Sequence, residues 1–235
     1  MALPEAVILA GGMGTRLQSV LPDRPKAMAE VAARPFLEWL LDGLRREGVR
    51  RVVLCTGYLG DAIEQHFRLF PASGMELAFS RENVPLGTAG ALRHALLMLR
   101  GPRYLVLNGD SYFAPHIANL VDFHQHRRAR ATLTLTRVDD SSRFGTVNLG
   151  PEGEVLTFHE KTGSPEPGTI NAGIYLLERE LLETIPPARA VSLETEMFPA
   201  LIGRGLYGRV EDGPFLDIGT PEAYTRADTF FANLP

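Results

Sequence analysis

Leu9-Ala10-Gly11-Gly12-Met13-Gly14-Thr15-Arg16-Leu17 follows the apolar residues Ala6-Val7-Ile8 and precedes Pro25-Lys26. The run from Ala6 to Ala10 reads as a buried parallel strand. The three glycines that follow let the backbone turn sharply and present bare N–H groups to an anion. Arg16 and Lys26 add the full positive charges that backbone dipoles lack. This is neither of the two commonest phosphate loops. A dinucleotide fingerprint counted from Gly12 needs glycine where Leu17 stands, and no Gly-Lys-Ser/Thr tripeptide occurs. A second apolar run, Leu105-Val106-Leu107, leads into Asn108-Gly109-Asp110. A phosphate cradle with a carboxylate at a strand end points to phosphoryl or nucleotidyl transfer with Mg²⁺.

Strands and helices alternate through the first half. Strands are expected at 6–10, 51–56, 75–80 and 104–108, and helices at 59–67 and 88–99. Another helix is expected to start at Pro35, carry Phe36, Leu37, Leu40, Leu41 and Leu44 on one face, and close at Gly48. This order predicts an α/β fold, with a mixed, mostly parallel central sheet and helices on both faces. Ligands then bind beyond the carboxyl ends of the strands, where Gly11, Glu82 and Asp110 can converge. The second half is mixed. Residues 131–136 alternate apolar with threonine, as a half-solvated strand does. Strands 146–149 and 155–159 flank Gly150-Pro151-Glu152-Gly153, a hairpin turn, and 170–177 is a further strand. Helices are expected at 178–184, 193–202 and 221–233. No linker separates the halves, so the reading is one domain, with a nucleotide half at about 1–112 and a sugar-phosphate half at about 113–235.

Of the 235 residues, 45% are hydrophobic and 22% charged, which suits one ordinary globular core. The net charge of −4 argues against a nucleic-acid partner, which wants a basic footprint. Any anionic substrate must be caught by local positive charge. Cys55, the only cysteine, reads as a buried strand thiol. His124 and His126 stand two apart on a helix, too far around it to share a metal. The first strand begins too early to leave room for a signal peptide, and no apolar run is long enough for a membrane span. The expected compartment is the cytoplasm.

The glycine-rich stretch with Pro25-Lys26 resembles the signature of the sugar-1-phosphate nucleotidyltransferases. Four further motifs agree in order and spacing: Pro85-Leu86-Gly87-Thr88-Ala89-Gly90, Asn108-Gly109-Asp110, Glu160-Lys161 with Asn171-Ala172-Gly173, and Asp217-Ile218-Gly219. Together they cover about residues 6–227. The resemblance implies a Rossmann-like nucleotidyltransferase fold and the reaction NTP + sugar 1-phosphate → NDP-sugar + pyrophosphate. Many relatives carry a further C-terminal domain; none is expected here.

The resemblance also implies roles. Arg16 bears on the β- and γ-phosphates, and Lys26 bridges the α-phosphate and the sugar phosphate. Asp110 and Asp217 hold Mg²⁺. Leu9, Ala10, Gly11, Gly12, Gly14, Thr15, Glu82, Gly87, Thr88, Asn108 and Gly109 line the nucleotide site. Lys161 binds the sugar 1-phosphate and joins Arg16, Lys26 and Asp110 as a catalytic group. Glu160 and Asn171 face the sugar, with Gly145 and Glu194 as weaker candidates. Within the family the chain resembles the D-glycero-α-D-manno-heptose 1-phosphate guanylyltransferases, through Leu21-Pro22-Asp23-Arg24-Pro25-Lys26-Ala27-Met28, Pro35-Phe36-Leu37-Glu38 and Pro221-Glu222-Ala223-Tyr224. It departs from many of them at Ala172, where they carry glycine. Glu82 supports guanine on physical grounds. A carboxylate only accepts hydrogen bonds, and guanine offers adjacent N1–H and amino donors.

GTP and a heptose 1-phosphate are therefore the expected substrates, and a homo-oligomer is left open. One rival is a sister enzyme using mannose, glucose or N-acetylmuramate 1-phosphate with GTP, UTP or dTTP. The other is a non-catalytic nucleotide-sugar-binding regulatory subunit, against which intact Arg16, Lys26, Asp110, Lys161 and Asp217 speak.

Overall fold

The computed structural model describes residues 3–18, 20–159, 163 and 165–234. Its central sheet runs, edge to edge, through Leu206–Val210, Ala131–Val138, Gly168–Glu178, Arg103–Asn108, Glu5–Leu9, Arg51–Thr56 and Glu76–Arg81. Pairing is parallel from Arg103–Asn108 to Glu76–Arg81 and again between Ala131–Val138 and Leu206–Val210. Gly168–Glu178 enters antiparallel to both its neighbours. The hairpin Thr146–Leu149/Val155–His159 joins that long strand at Ile170. The sheet is mixed and mostly parallel, as the alternation predicts.

Side chains alternate across a strand, so each strand feeds two cores. Ala6, Ile8, Val52, Leu54, Leu105 and Leu107 pack on one face with the helix Phe36–Arg46 and with Phe231. Val7, Val53, Cys55, Tyr104 and Val106 pack on the other with the helix Gly87–Ala95 and with Phe198. Burying both faces is why these strands read as unbroken apolar runs.

Several expectations need correction. Pro35 is not the first helical residue. It has extended backbone, and the helix starts at Phe36. The expected helix 88–99 stops at Ala95, 193–202 divides into a π turn, Leu193–Met197, and a short helix, Phe198–Leu201, and 221–233 breaks at Arg226. The alternation at 131–136 does not mark solvent. Thr132, Thr134 and Thr136 are buried. Their strand lies between two others, and Thr132 Oγ1 meets His124 Nδ1, on the helix Ile117–Arg127, at 2.7 Å. A threonine whose hydroxyl finds a partner is as good a buried β-branched residue as valine. His124 also meets Glu178 through Nε2 at 3.0 Å, so it is a satisfied core histidine.

Candidate active site

The carboxyl ends of the parallel strands open into a cleft of about 670 Å³. Every residue expected to bind nucleotide lines it: Leu9, Ala10, Gly11, Gly12, Gly14, Thr15, Glu82, Gly87, Thr88, Asn108 and Gly109. Arg16, Lys26 and Asp110 line it too. Adjacent strand ends produce this convergence, since Leu9 pairs with both Cys55 and Asn108. Gly14 adopts the left-handed backbone (φ 58°) that admits glycine easily, and so starts the 3-10 turn Thr15–Leu17. Leu17 is buried and anchors that turn, leaving Arg16 exposed beside the cleft. Buried Ala27 and Met28 likewise anchor the turn that carries Lys26.

Lys26 Nζ donates to Asp110 Oδ2 at 2.6 Å. The second expected metal carboxylate is brought alongside by a two-residue ladder. Leu216–Asp217 pairs antiparallel with Ser111–Tyr112, placing Asp217 opposite Ser111. Ile218 N–H donates to Asp110 O at 2.9 Å. Ser111 Oγ lies 3.3 Å from Asp110 Oδ1 and 3.4 Å from Asp217 Oδ2, and its single proton serves one of them at a time. Asp217 Oδ1 accepts from Gly219 N–H at 2.7 Å, and a Cβ on Gly219 would lie 2.5 Å from that oxygen. Asp110 lines the cleft and Asp217 stands behind it, joined through Ser111, with Gly219 at the cleft wall. Two hard carboxylates so close together fit Mg²⁺, which takes one or two carboxylates plus phosphate and water oxygens. Among the described residues no cluster of three or more acidic, histidine or cysteine side chains forms an all-protein metal cage.

Glu82 follows the strand Glu76–Arg81, its N–H donating to Thr56 O at 2.9 Å. Its Oε1 faces the backbone of Gly11 and Gly57, so closely that a Cβ on Gly57 would sit 3.0 Å away. Its Oε2 accepts from Leu86 N–H at 3.2 Å. Burial pushes the Glu82 carboxyl above the ordinary glutamate range, opposed by the Leu86 bond and by His94. Burial pushes the Cys55 thiol up to about 12, which leaves it an inert core group.

The sugar-side residues are arranged differently from expectation. Asn171 and Glu194 do not line the cleft wall; they meet behind it at Tyr175, which the sequence does not mark. Tyr175 OH accepts from Asn171 Nδ2 at 2.9 Å and Asn108 Nδ2 at 3.3 Å, and donates to Glu194 Oε1 at 3.3 Å. Thr88 Oγ1 donates to Glu194 Oε2 at 2.9 Å and accepts from Leu193 N–H at 2.7 Å. Full burial and the nearby Glu194 charge hold the phenol well above its usual range, so it stays a donor. One fully satisfied hydroxyl thus ties Asn108 to Asn171 and Glu194, and Glu194 in turn holds Thr88. Tyr175→Phe is expected to leave three polar groups short of a partner. It should cost about 1–3 kcal/mol, read as a lower midpoint in urea unfolding, and raise KM for both substrates together. A change in one KM alone would show that the halves are not joined here. Gly145 lies beside Arg143, whose guanidinium is 3.6 Å from Asp217. Glu160 and Lys161 fall outside the described residues.

The glycine loop, Arg16, Lys26 and Asp110 thus meet in one cleft at the strand ends. The chain belongs to the nucleotidyl transferase family, whose profile matches residues 5–233. It is 40% identical over 225 residues to a mannose-1-phosphate guanylyltransferase of Mycobacterium tuberculosis, covering 94% of this chain and 63% of that protein. It is 34% identical over 223 residues to a D-glycero-α-D-manno-heptose 1-phosphate guanylyltransferase of Campylobacter jejuni, covering 94% and 96% of the two chains. The structure of HddC from Yersinia pseudotuberculosis superposes with a TM-score of 0.88 at 31% identity, over 97% of this chain and 100% of that one, and it is also known complexed with GMP-PN. No helix among the described residues is long and apolar enough to cross a membrane.

Proposed function

We propose that this chain transfers GMP from GTP to the phosphate of a manno-configured sugar 1-phosphate, releasing pyrophosphate. D-glycero-α-D-manno-heptose 1-phosphate is the first acceptor and mannose 1-phosphate the second; the names of the two relatives support both. The observation that carries the choice of nucleotide is Glu82, a carboxylate lining the glycine-loop cleft. Guanine presents it with two adjacent donors, whereas uracil and thymine place a lone N–H between two carbonyls.

A phosphate oxygen of the sugar 1-phosphate attacks the α-phosphorus. The new P–O bond forms as the α–β bridge breaks, and pyrophosphate carries off the electron pair. That oxygen is ionised near neutral pH, so no general base is needed. Catalysis is positioning and charge neutralisation. In this reading Arg16 meets the β- and γ-phosphates. Lys26 exchanges Asp110 for the α-phosphate, and Lys161 meets the acceptor. Asp110 and Asp217 would hold Mg²⁺, which when bound supplies charge neutralisation at the phosphates. The cytoplasm, the source of the NTP, is the proposed compartment.

Glu82→Gln tests the base assignment. The amide loses one of two acceptors and gains a donor for a pyrimidine carbonyl. The ratio of kcat/KM for GTP over UTP should fall by about tenfold or more. An unchanged ratio would place Glu82 outside the base pocket.

A further inference from the structure

Arg143 belongs to a segment that the fold fixes firmly. Ser141 N–H and Oγ both donate to Glu166 O, at 2.9 and 2.8 Å, and Phe144 N–H closes a turn on Ser141 O at 2.8 Å. Phe144 packs edge-on against Phe215, ring centroids 5.5 Å apart, two residues before Asp217. The guanidinium of Arg143 is thereby carried to Asp217, with Nη2 3.6 Å from Oδ1, and its carbon lies 5.6 Å from the Phe144 ring centroid. Its outer side is open, the side chain being 41% exposed.

Lys26 pairs more tightly with Asp110, hydrogen-bonded at 2.6 Å, and Ser111 stands between the two carboxylates. Each carboxylate therefore has its own cation, and the four formal charges cancel. A divalent ion engaging both carboxylates would take over their neutralisation, leaving two basic groups with a surplus of two positive charges. A phosphomonoester carries close to two negative charges near neutral pH. A guanidinium fork matches two phosphate oxygens at once, which an ammonium cannot do.

We infer that Arg143 binds the acceptor's phosphate, its guanidinium leaving Asp217 for the sugar 1-phosphate. This rests on the proposed reaction and adds to it a specific acceptor residue. The Phe144–Phe215 contact keeps the base of the side chain in place while its tip changes partner. The hydrogen bonds at its own helix start hold the Glu222 carboxyl low, with smaller contributions from Arg143 and Arg226, and Arg143 also adds to the lowering of Asp140.

The test is calorimetric binding of mannose 1-phosphate and of heptose 1-phosphate, in EDTA and in Mg²⁺ with a non-hydrolysable GTP analogue, to wild type, Arg143→Ala and Arg143→Lys. Arg143→Ala should weaken the acceptor that wild type binds better by about 10- to 100-fold when Mg²⁺ and the analogue are present. Arg143→Lys should recover part of the loss, and KM for GTP should stay within about twofold of wild type. Unchanged acceptor affinity with tighter Mg²⁺ binding would overturn the inference, leaving Arg143 as a mere occupant of Asp217. A wild type that binds neither acceptor, with or without metal, would mean instead that the proposed reaction is wrong, and the inference would fall with it.

Discussion

Asp110→Asn is expected to lower kcat by about 10³-fold or more at saturating Mg²⁺, while the fold melts within a few degrees of wild type. The amide keeps the shape and can still meet Ser111, but the charge that pairs with Lys26 at 2.6 Å is gone. Under the proposed reaction the same charge is half of the metal's carboxylate pair. The loss should therefore fall on turnover and resist any excess of Mg²⁺. Steady-state kinetics over a Mg²⁺ titration, with a thermal melt alongside, separate this from simple destabilisation. A kcat within tenfold of wild type would remove Asp110 from the chemistry.

Arg16→Ala should lower kcat/KM for the nucleotide by about 10³-fold, the size typical of a cationic clamp on a transferring phosphate. Stability should not change. Arg16 is exposed on its 3-10 turn and makes no hydrogen bond or ion pair among the described residues, while buried Leu17 secures the turn without it. Its place on the cleft wall beside the glycine loop is what assigns it to the nucleotide's phosphates in the proposed reaction. Tight pyrophosphate product inhibition in wild type, weakened in the variant, would locate the effect on the leaving group. A variant with intact kcat/KM would leave the glycine loop without its charged partner and the leaving group unassigned.

The nucleotide half is legible in the sequence because its signals are local. Glycines mark where the loop must turn, and apolar runs such as Val52-Val53-Leu54 mark strands covered on both faces. Once parallel strands are inferred, ligands are expected beyond their carboxyl ends, which places Gly11, Glu82 and Asp110 together from the sequence alone. In both halves, what the sequence hides lies in pairings between distant residues. Lys26 and Asp110 are 84 residues apart, and nothing local says they touch. Tyr175 sits within Ile174-Tyr175-Leu176-Leu177 and reads as one more core aromatic; only the fold shows that its hydroxyl collects Asn108, Asn171 and Glu194. The buried threonines at 132, 134 and 136 mislead for a related reason. Alternation reports polarity and not exposure: Thr132 finds its partner in His124 of a neighbouring helix, while Thr134 is buried without one. Arg143 carries no sequence signal because its role depends on the ladder that brings Asp217 to Ser111.

Product formation tests the central claim most directly. The protein is incubated with Mg²⁺, each of GTP, UTP, ATP and dTTP in turn, and either D-glycero-α-D-manno-heptose 1-phosphate or mannose 1-phosphate. Pyrophosphate release is followed continuously and the sugar nucleotide identified by mass. The account predicts equimolar pyrophosphate and GDP-sugar with GTP, and at least about tenfold slower release with UTP or dTTP. Faster turnover with a pyrimidine nucleotide, or no pyrophosphate from GTP with either acceptor, would contradict it.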